Sequence, residues 1–491
     1  NGSDYTGPVN VTAESGKISL KDDNDIELGT ISSAGTFSLT ASRTTTGTVT
    51  QSGTITVANR TAITNSGGDV TLNNVGNDFG NGSGVNDVRV TGANVSIKNS
   101  DIFELADSTV SGTYAATAVT GNITDSGTLA ITGLATFTTS ASNATITLDE
   151  TGSTFAAGVS LNTTGSSGNA TVDTGTNALD IAASTIGGTL TLTSGHASGI
   201  TDSGTVTVSG NLVATTDANN GVINMGSLAV DGTIGFSTHG SGSVTIVNDD
   251  GIDFAASTIG GSLTTDDTAA FDVGEEITNG SIKGIVVLGT GGTNTVTYKG
   301  TYRQNQTGQI FEAGDTITGG TNGNTRVISS SGVANGTLTA TATTGNITQS
   351  GALHITGRST FTTSEADADI TLQNTSNNFY DDVTFFTAGT TGDVAVYDST
   401  NFYFGTSTIR GNLTVETANA TNTQIGDGED AEGDPAILTV TGTTSLLASG
   451  TNNKKLASII MNGANHIFGG SVSAQGHHVR FASDGAIELG N

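Results

Sequence analysis

The sequence predicts an all-β fold, a right-handed parallel β-helix (β-solenoid) with a small inserted β-module. Three observations carry this: a repeat of about 75 residues, strict alternation of aliphatic residues in short runs, and a composition too thin for a globular core. Hydrophobic residues make up 34% of the 491, below the usual share, and Gly, Thr, Ser and Asn fill the gap. Only 12% of residues are charged and β-branched residues are plentiful, which sets the chain apart from disordered sequences. Glycine is abundant (70) but proline is rare (2), so neither collagen nor a proline-rich linker fits.

The repeat shows first as near-identical segments, "GNITDSGTLAITGLATFTTS" at 121–140 and "GNITQSGALHITGRSTFTTS" at 345–364. A "T-x-S-G" mark recurs with its serine at Ser52, Ser126, Ser203 and Ser350, at intervals of 74, 77 and 147. A second mark, "STVSG", "STIGG", "STIGG" and "STIRG", starts at 108, 184, 257 and 407. Fixed periods of this kind mean stacked units. Within a unit, runs such as "TLAIT", "ATITL" and "TVTVS" place an aliphatic residue at every second position, the period of a strand with one buried face. The runs are short and separated by Gly, Asn, Asp and Ser, and none shows a helical spacing. Stacked coils account for all of this, because each strand then pairs with its counterparts about 4.8 Å above and below. Four coils of about nineteen residues would fill one unit, and the whole would make a rod on the order of 100 Å.

Residues 265–335 break the period, giving solenoid at 1–264, an inserted module at 265–335 and solenoid again at 336–491. The insertion is itself duplicated: "FDVGEEITNGSIKG" (271–284) matches "FEAGDTITGGTNGN" (311–324) at an offset of 40.

"DNDIELGTISSAGTFSLTA" (23–41), "GTVTQSGTITVA" (47–58) and "GNLTVET" (411–417) resemble the repeats of filamentous haemagglutinin-like large exoproteins. The resemblance implies a β-helical adhesin on a Gram-negative bacterial surface or in the extracellular space, and it covers everything outside the insertion.

Composition excludes several classes. A net charge of −30, from 45 acidic and 15 basic residues, repels nucleic acid and anionic lipid. No cysteine is present for disulfides or thiolate sites, and no long apolar run would insert in a membrane. No G-x-S-x-G elbow occurs, so no catalytic residue is assigned and an enzyme is not expected. Paired carboxylates such as Asp367 and Asp393 could serve a carbohydrate-active β-helix enzyme, but abundant acidic residues make chance pairs common. Calcium is the one cofactor that the composition favours. Asp22, Asp23 and Asp25, and separately Asp427, Glu429, Asp430 and Asp434, lie in turn-like loops that a solvated acidic turn explains equally well.

Contact residues are sought among exposed rings. Phe386 and Tyr397 occupy positions that are Asn162 and Asp173 in the sister unit, so both should face outward. Tyr298, Tyr302 and Arg303 are the anchors expected on the insertion. The function these features favour is a non-enzymatic adhesin or spacer that contacts surface glycans or proteins. The alternative is a self-assembling filament or surface-layer protein. "SDGAIELGN" (483–491) repeats "DDNDIELGT" (22–30), so both ends are expected to be open, either continuing or stacking head-to-tail on copies.

Overall fold

Short alternating runs leave one row of side chains on each side of a strand, and the row that meets its counterparts in neighbouring coils becomes the core. The computed structural model describes residues 5–41, 47–80, 87–260, 336–419, 423–428, 435–450 and 457–490, with the backbone of strands at 262–265, 276–279, 282–289, 295–300, 316–319 and 325–330. Among these residues every regular element is a strand, and no helix is long and apolar enough to cross a membrane. Ile123, Ile131, Phe137, Ile146 and Leu148 are all buried, as are their counterparts Ile347, Ile355, Phe361, Ile370 and Leu372. The expected β-solenoid is what forms.

The chain divides into two compact units, Asn1–Val213 and Ala214–Asn491. In the first, the chain passes alternately through two parallel sheets. One stacks Ile123–Asp125, Ile146–Leu148, Ala170–Asp173 and Leu190–Ser194, residue over residue. The other stacks Val95–Asn99, Tyr114–Ala118, Ala135–Ser142 and Val159–Thr164. Their inner faces meet: Phe137 of one sheet packs edge-on against Phe155 of the other, with centroids 6.1 Å apart. The second unit repeats the plan with a denser aromatic interior. Phe254, Phe361, Phe379 and Phe402 form a chain of edge-on contacts at 6.0, 6.1 and 6.4 Å.

Coil length departs from the expectation of nineteen residues. The stacked residues Ile123, Ile146, Ala170 and Leu190 are 23, 24 and 20 apart. A repeat is therefore not four coils. Between the marks at Ser126 and Ser203 the chain crosses between the sheets seven times, which is three and a half coils. The strand before Ser126 stacks on Ile146–Leu148, whereas the strand before Ser203 stacks on Leu179–Ile181 in the opposite sheet. The second unit alternates in the same way: Ser257–Ile259 and Ser407–Ile409 lie in different sheets. Successive repeats thus present the same motif on opposite faces.

The inserted strands pair antiparallel, unlike the other described pairings, and their order closes on itself: 262–265, 295–300, 282–289, 276–279, 316–319, 325–330. The module therefore begins at Ser262, slightly before the boundary expected at 265. Its two sequence copies pair with each other, and the equivalent residues Thr278 and Thr318 are direct partners about a local two-fold. The solenoid resumes without a break in register, Leu338–Ala342 stacking on Val244–Asn248. The two flanking glycines touch: a Cβ on Gly336 would lie 2.6 Å from the Gly260 Cα.

Joining Gly260 directly to Gly336 recreates "STIGGTLT", the uninterrupted sequence at 184–191. The deleted protein is expected to keep its β-type circular dichroism and melt within about 4 °C of the parent. Loss of cooperative melting would place the module in the core.

Candidate functional site

The residues that recur from repeat to repeat are the natural place to look for chemistry. Consider the second mark. Its serines, Ser108, Ser184, Ser257 and Ser407, are all buried. Each Oγ donates to the carbonyl two residues back, at 2.7–3.0 Å. Each also accepts an N–H from the preceding coil, that of Val90, Leu161, Phe236 or Phe385, at 3.0–3.1 Å. The need is local. Two short strands, Phe103–Leu105 and Ser108–Val110, oppose the single strand Val88–Gly92, and the gap between them leaves Val90 without a ladder partner. A buried N–H left unpaired costs about 1–3 kcal/mol, and serine supplies the missing acceptor.

The first mark does similar work. Its serine N–H groups donate to carbonyls of the coil below, Ser126 to Leu105 and Ser203 to Ile181. A Cβ at the following Gly204 would lie 2.5 Å from the amide nitrogen of Ala183, so only glycine fits. Gln51 and Asn77 form a two-way amide clip between coils, at 2.8 and 2.9 Å, and Gln349 and Asn377 repeat it at 2.8 and 2.7 Å. The Asn Oδ1 also accepts the N–H that opens the next strand, from Ile55 or Leu353. Ser153 takes this place opposite Leu129, and His466 takes it opposite Leu438. His466 is fully buried with Nδ1 accepting the Leu438 N–H, so its proton sits on Nε2, 3.6 Å from Asp427. That role could not be read from the sequence, because the equivalent positions are amides and a hydroxyl.

Asn and Asp side chains at the corners are spent the same way. Asn143, Asn220 and Asp367 stand at coil corners with φ of 68°, 67° and 66°, a left-handed conformation that Asn and Asp tolerate best. Each Oδ1 accepts an N–H from the next coil, that of Ser167, Ser241 or Thr390. The N–H groups of Thr390 and Thr391 hold the exposed Asp367 below the usual carboxylate range. Asp393 belongs to a column in which Asp369, Asp393, Asn412 and Thr443 each donate an N–H to the side chain one coil down.

The residues expected to bind calcium are similarly engaged where they are described. Asp22 is buried and accepts from Tyr5 and Asn24, and Asp25 accepts from Thr48. Asp23 is half-buried. Burial works to raise Asp427, but the nearby His466 imidazole and hydrogen bonds from the N–H groups of Asn462 and Gly463 outweigh it and hold it below its ordinary value. Glu429, Asp430 and Asp434 lie outside the described residues. Among the described residues no three His, Asp or Glu side chains cluster closely enough for a metal ion.

Phe386 and Tyr397 part company. Phe386 is 39% exposed on the outer face of its sheet, between Thr362 below and Thr408 above. Tyr397 is half-buried in the opposite sheet, beside Glu416. Burial, then the charges of Glu416 and Asp398, push its hydroxyl upward. Tyr403, one of the aromatic residues that cluster in this stretch of sequence but not among the expected contact residues, shares the face of Phe386. Tyr298 lies on the inserted strand 295–300, whose side chains are not described, and Tyr302 and Arg303 fall outside the described residues.

One carboxyl is perturbed the other way. Asp125 stands where other repeats carry Gln51 or Gln349. Burial and the nearby charges of Asp149 and Glu150 raise it to about 6, against the pull of two backbone N–H groups.

Parallel coils with one recurring set of side-chain hydrogen bonds per repeat define a β-solenoid repeat protein. The chain belongs to a family described as repeats of unknown function (DUF5649), which matches residues 15–86, 92–162, 167–229, 313–385 and 391–475. The match thus recovers the same period, and its fourth segment begins inside the insertion. No curated protein and no solved structure matches the chain.

Two outcomes follow from these hydrogen bonds. Ser184→Ala strands the buried Leu161 N–H and should cost about 1–3 kcal/mol in urea unfolding, whereas Thr185→Ala beside it should cost under about 0.5 kcal/mol. For Asp125, a raised native pKa means that the folded state binds more protons than the unfolded one between about pH 4 and about pH 6. Stability should therefore fall as pH rises through that window, and Asp125→Asn should remove the fall.

Proposed function

We propose that this chain is a non-catalytic adhesin or spacer, a stiff scaffold carried outside the cell that holds contact residues away from its point of attachment. One observation supports this above all: the side chains that recur between repeats are consumed by hydrogen bonds that hold coil to coil, as Ser108, Ser184, Ser257 and Ser407 are. What recurs serves the scaffold, and what differs between repeats, such as Phe386 against Asn162, is left to meet partners. The resemblance of the repeats to filamentous haemagglutinin-like exoproteins agrees with this reading, as does a net charge of −30 that disfavours nucleic acid.

A self-assembling filament is the second reading. It is favoured by the way coils stack through parallel ladders, as Ile146–Leu148 does on Ile123–Asp125, a mode of pairing that coils of another copy could extend.

Beads coated with the full chain should adhere to cell monolayers or immobilised surface glycans more than uncoated beads do, without releasing reducing sugar. Sugar release would replace the adhesin with an enzyme. Filaments in electron micrographs without bead adhesion would favour the assembly reading.

A further inference from the structure

The outer face of the sheet that holds Val383–Ala388 differs from its sister in one place. Phe386 stands there with neutral, hydroxyl-bearing neighbours: Thr362 and Thr408 in the coils below and above, and Thr384 two residues earlier on the same face. In the next coil Tyr403 stands on the same face, over Gly426, its hydroxyl donating to Gln424. The pairing of Val383 with Phe404 puts Tyr403 level with Asp382, four residues along the strand direction from Phe386. At about 3.3 Å per residue the two rings are roughly 13 Å apart. Between them Gly405 sits against the Thr384 side chain, so nothing rises above the hydroxyl there.

The sister repeat shows that the fold does not require these rings. At the matching positions it carries Asn162 in place of Phe386 and Asp180 in place of Tyr403, and its ladder is intact. The Asp180 carboxylate instead accepts the hydroxyls of Thr201 and Ser203. The rings are thus additions to a working coil, and exposed apolar surface on a stable face marks a contact site.

We infer that Phe386 and Tyr403, with the hydroxyls of Thr362, Thr384 and Thr408, form a strip that binds a linear, neutral polysaccharide. The chemistry matches at each point. The C–H face of a pyranose is apolar and packs flat on an aromatic ring, while its rim hydroxyls need partners of the kind that threonine offers. Two rings at this separation suit a chain of several sugars rather than a monosaccharide. Phe386 and the three threonines are uncharged. Charge enters at the two ends, Asp382 level with Tyr403 and near Arg358 at one, Arg410 at the other, and a chain with a net charge of −30 repels acidic polysaccharides. The strip names the partner class of the proposed adhesin and rests on that reading.

The test is affinity electrophoresis of the full chain through gels containing a neutral β-glucan, mannan or galactan, or polygalacturonate as the acidic arm. At least one neutral polymer should retard the protein. Phe386→Asn, which copies the sister repeat and so keeps the fold, should weaken retardation about tenfold, and Phe386→Trp should preserve it. Equal retardation of Phe386→Asn and the parent, retardation by polygalacturonate alone, or no retardation by any polymer would overturn the inference. Bead adhesion separates the two proposals. Adhesion unchanged by Phe386→Asn keeps the adhesin and rejects the strip, whereas retardation lost in Phe386→Asn without any adhesion keeps the strip and rejects the adhesin.

Discussion

The structure depends on one constraint: each backbone N–H and C=O of a coil must find its partner in the coil above or below. Elsewhere in proteins a strand can borrow partners from a hairpin or a helix from its own next turn. Here the neighbouring coil is the main source, and any mismatch in strand length leaves a buried group unpaired. Side chains repair the mismatches. Serine fills the gap between split strands, asparagine and aspartate close the corners, and amide pairs clip one coil to the next. Because the repairs recur, they look like motifs. They are motifs of backbone satisfaction.

This explains which parts of the molecule were legible in the sequence. Alternation reports burial directly, so Ile123, Phe137, Ile146 and their counterparts could be placed inside without coordinates. The insertion was legible because it breaks a period. Coil count was not, since sequence measures residues, and corners of different length let coils vary while the repeat stays near 75. The faces of Phe386 and Tyr397 were lost for the same reason. Eleven residues separate them, but a corner lies between, so outward on both means opposite sides of the stack.

The acidic residues teach a related lesson. A carboxylate in a turn reads as a cation ligand when only its neighbours in sequence are known. In the folded chain Asp22, Asp25, Asp367 and Asp393 are acceptors for N–H groups donated from other turns or coils, Asp22 from Tyr5. Their partners lie as much as 24 positions away, beyond any local pattern. His466 makes the same point from the opposite side, since an imidazole does the work of an asparagine and only the stacked coil reveals it.

The half-coil in each repeat gives the chain a parity. Losing or gaining one repeat within a unit would keep every ladder in register yet carry each later motif to the other sheet, whereas a change of two would restore it. Genes built of near-identical segments gain and lose copies by unequal recombination, and here the odd events and the even ones have different meanings. An odd event turns a surface feature such as Phe386 to the other side without altering a single residue around it. An even event only moves it along. Lineages that carry the same repeats in different number would then display their variable residues either on one common side or divided between two, according to nothing more than whether the count differs by an even or an odd number.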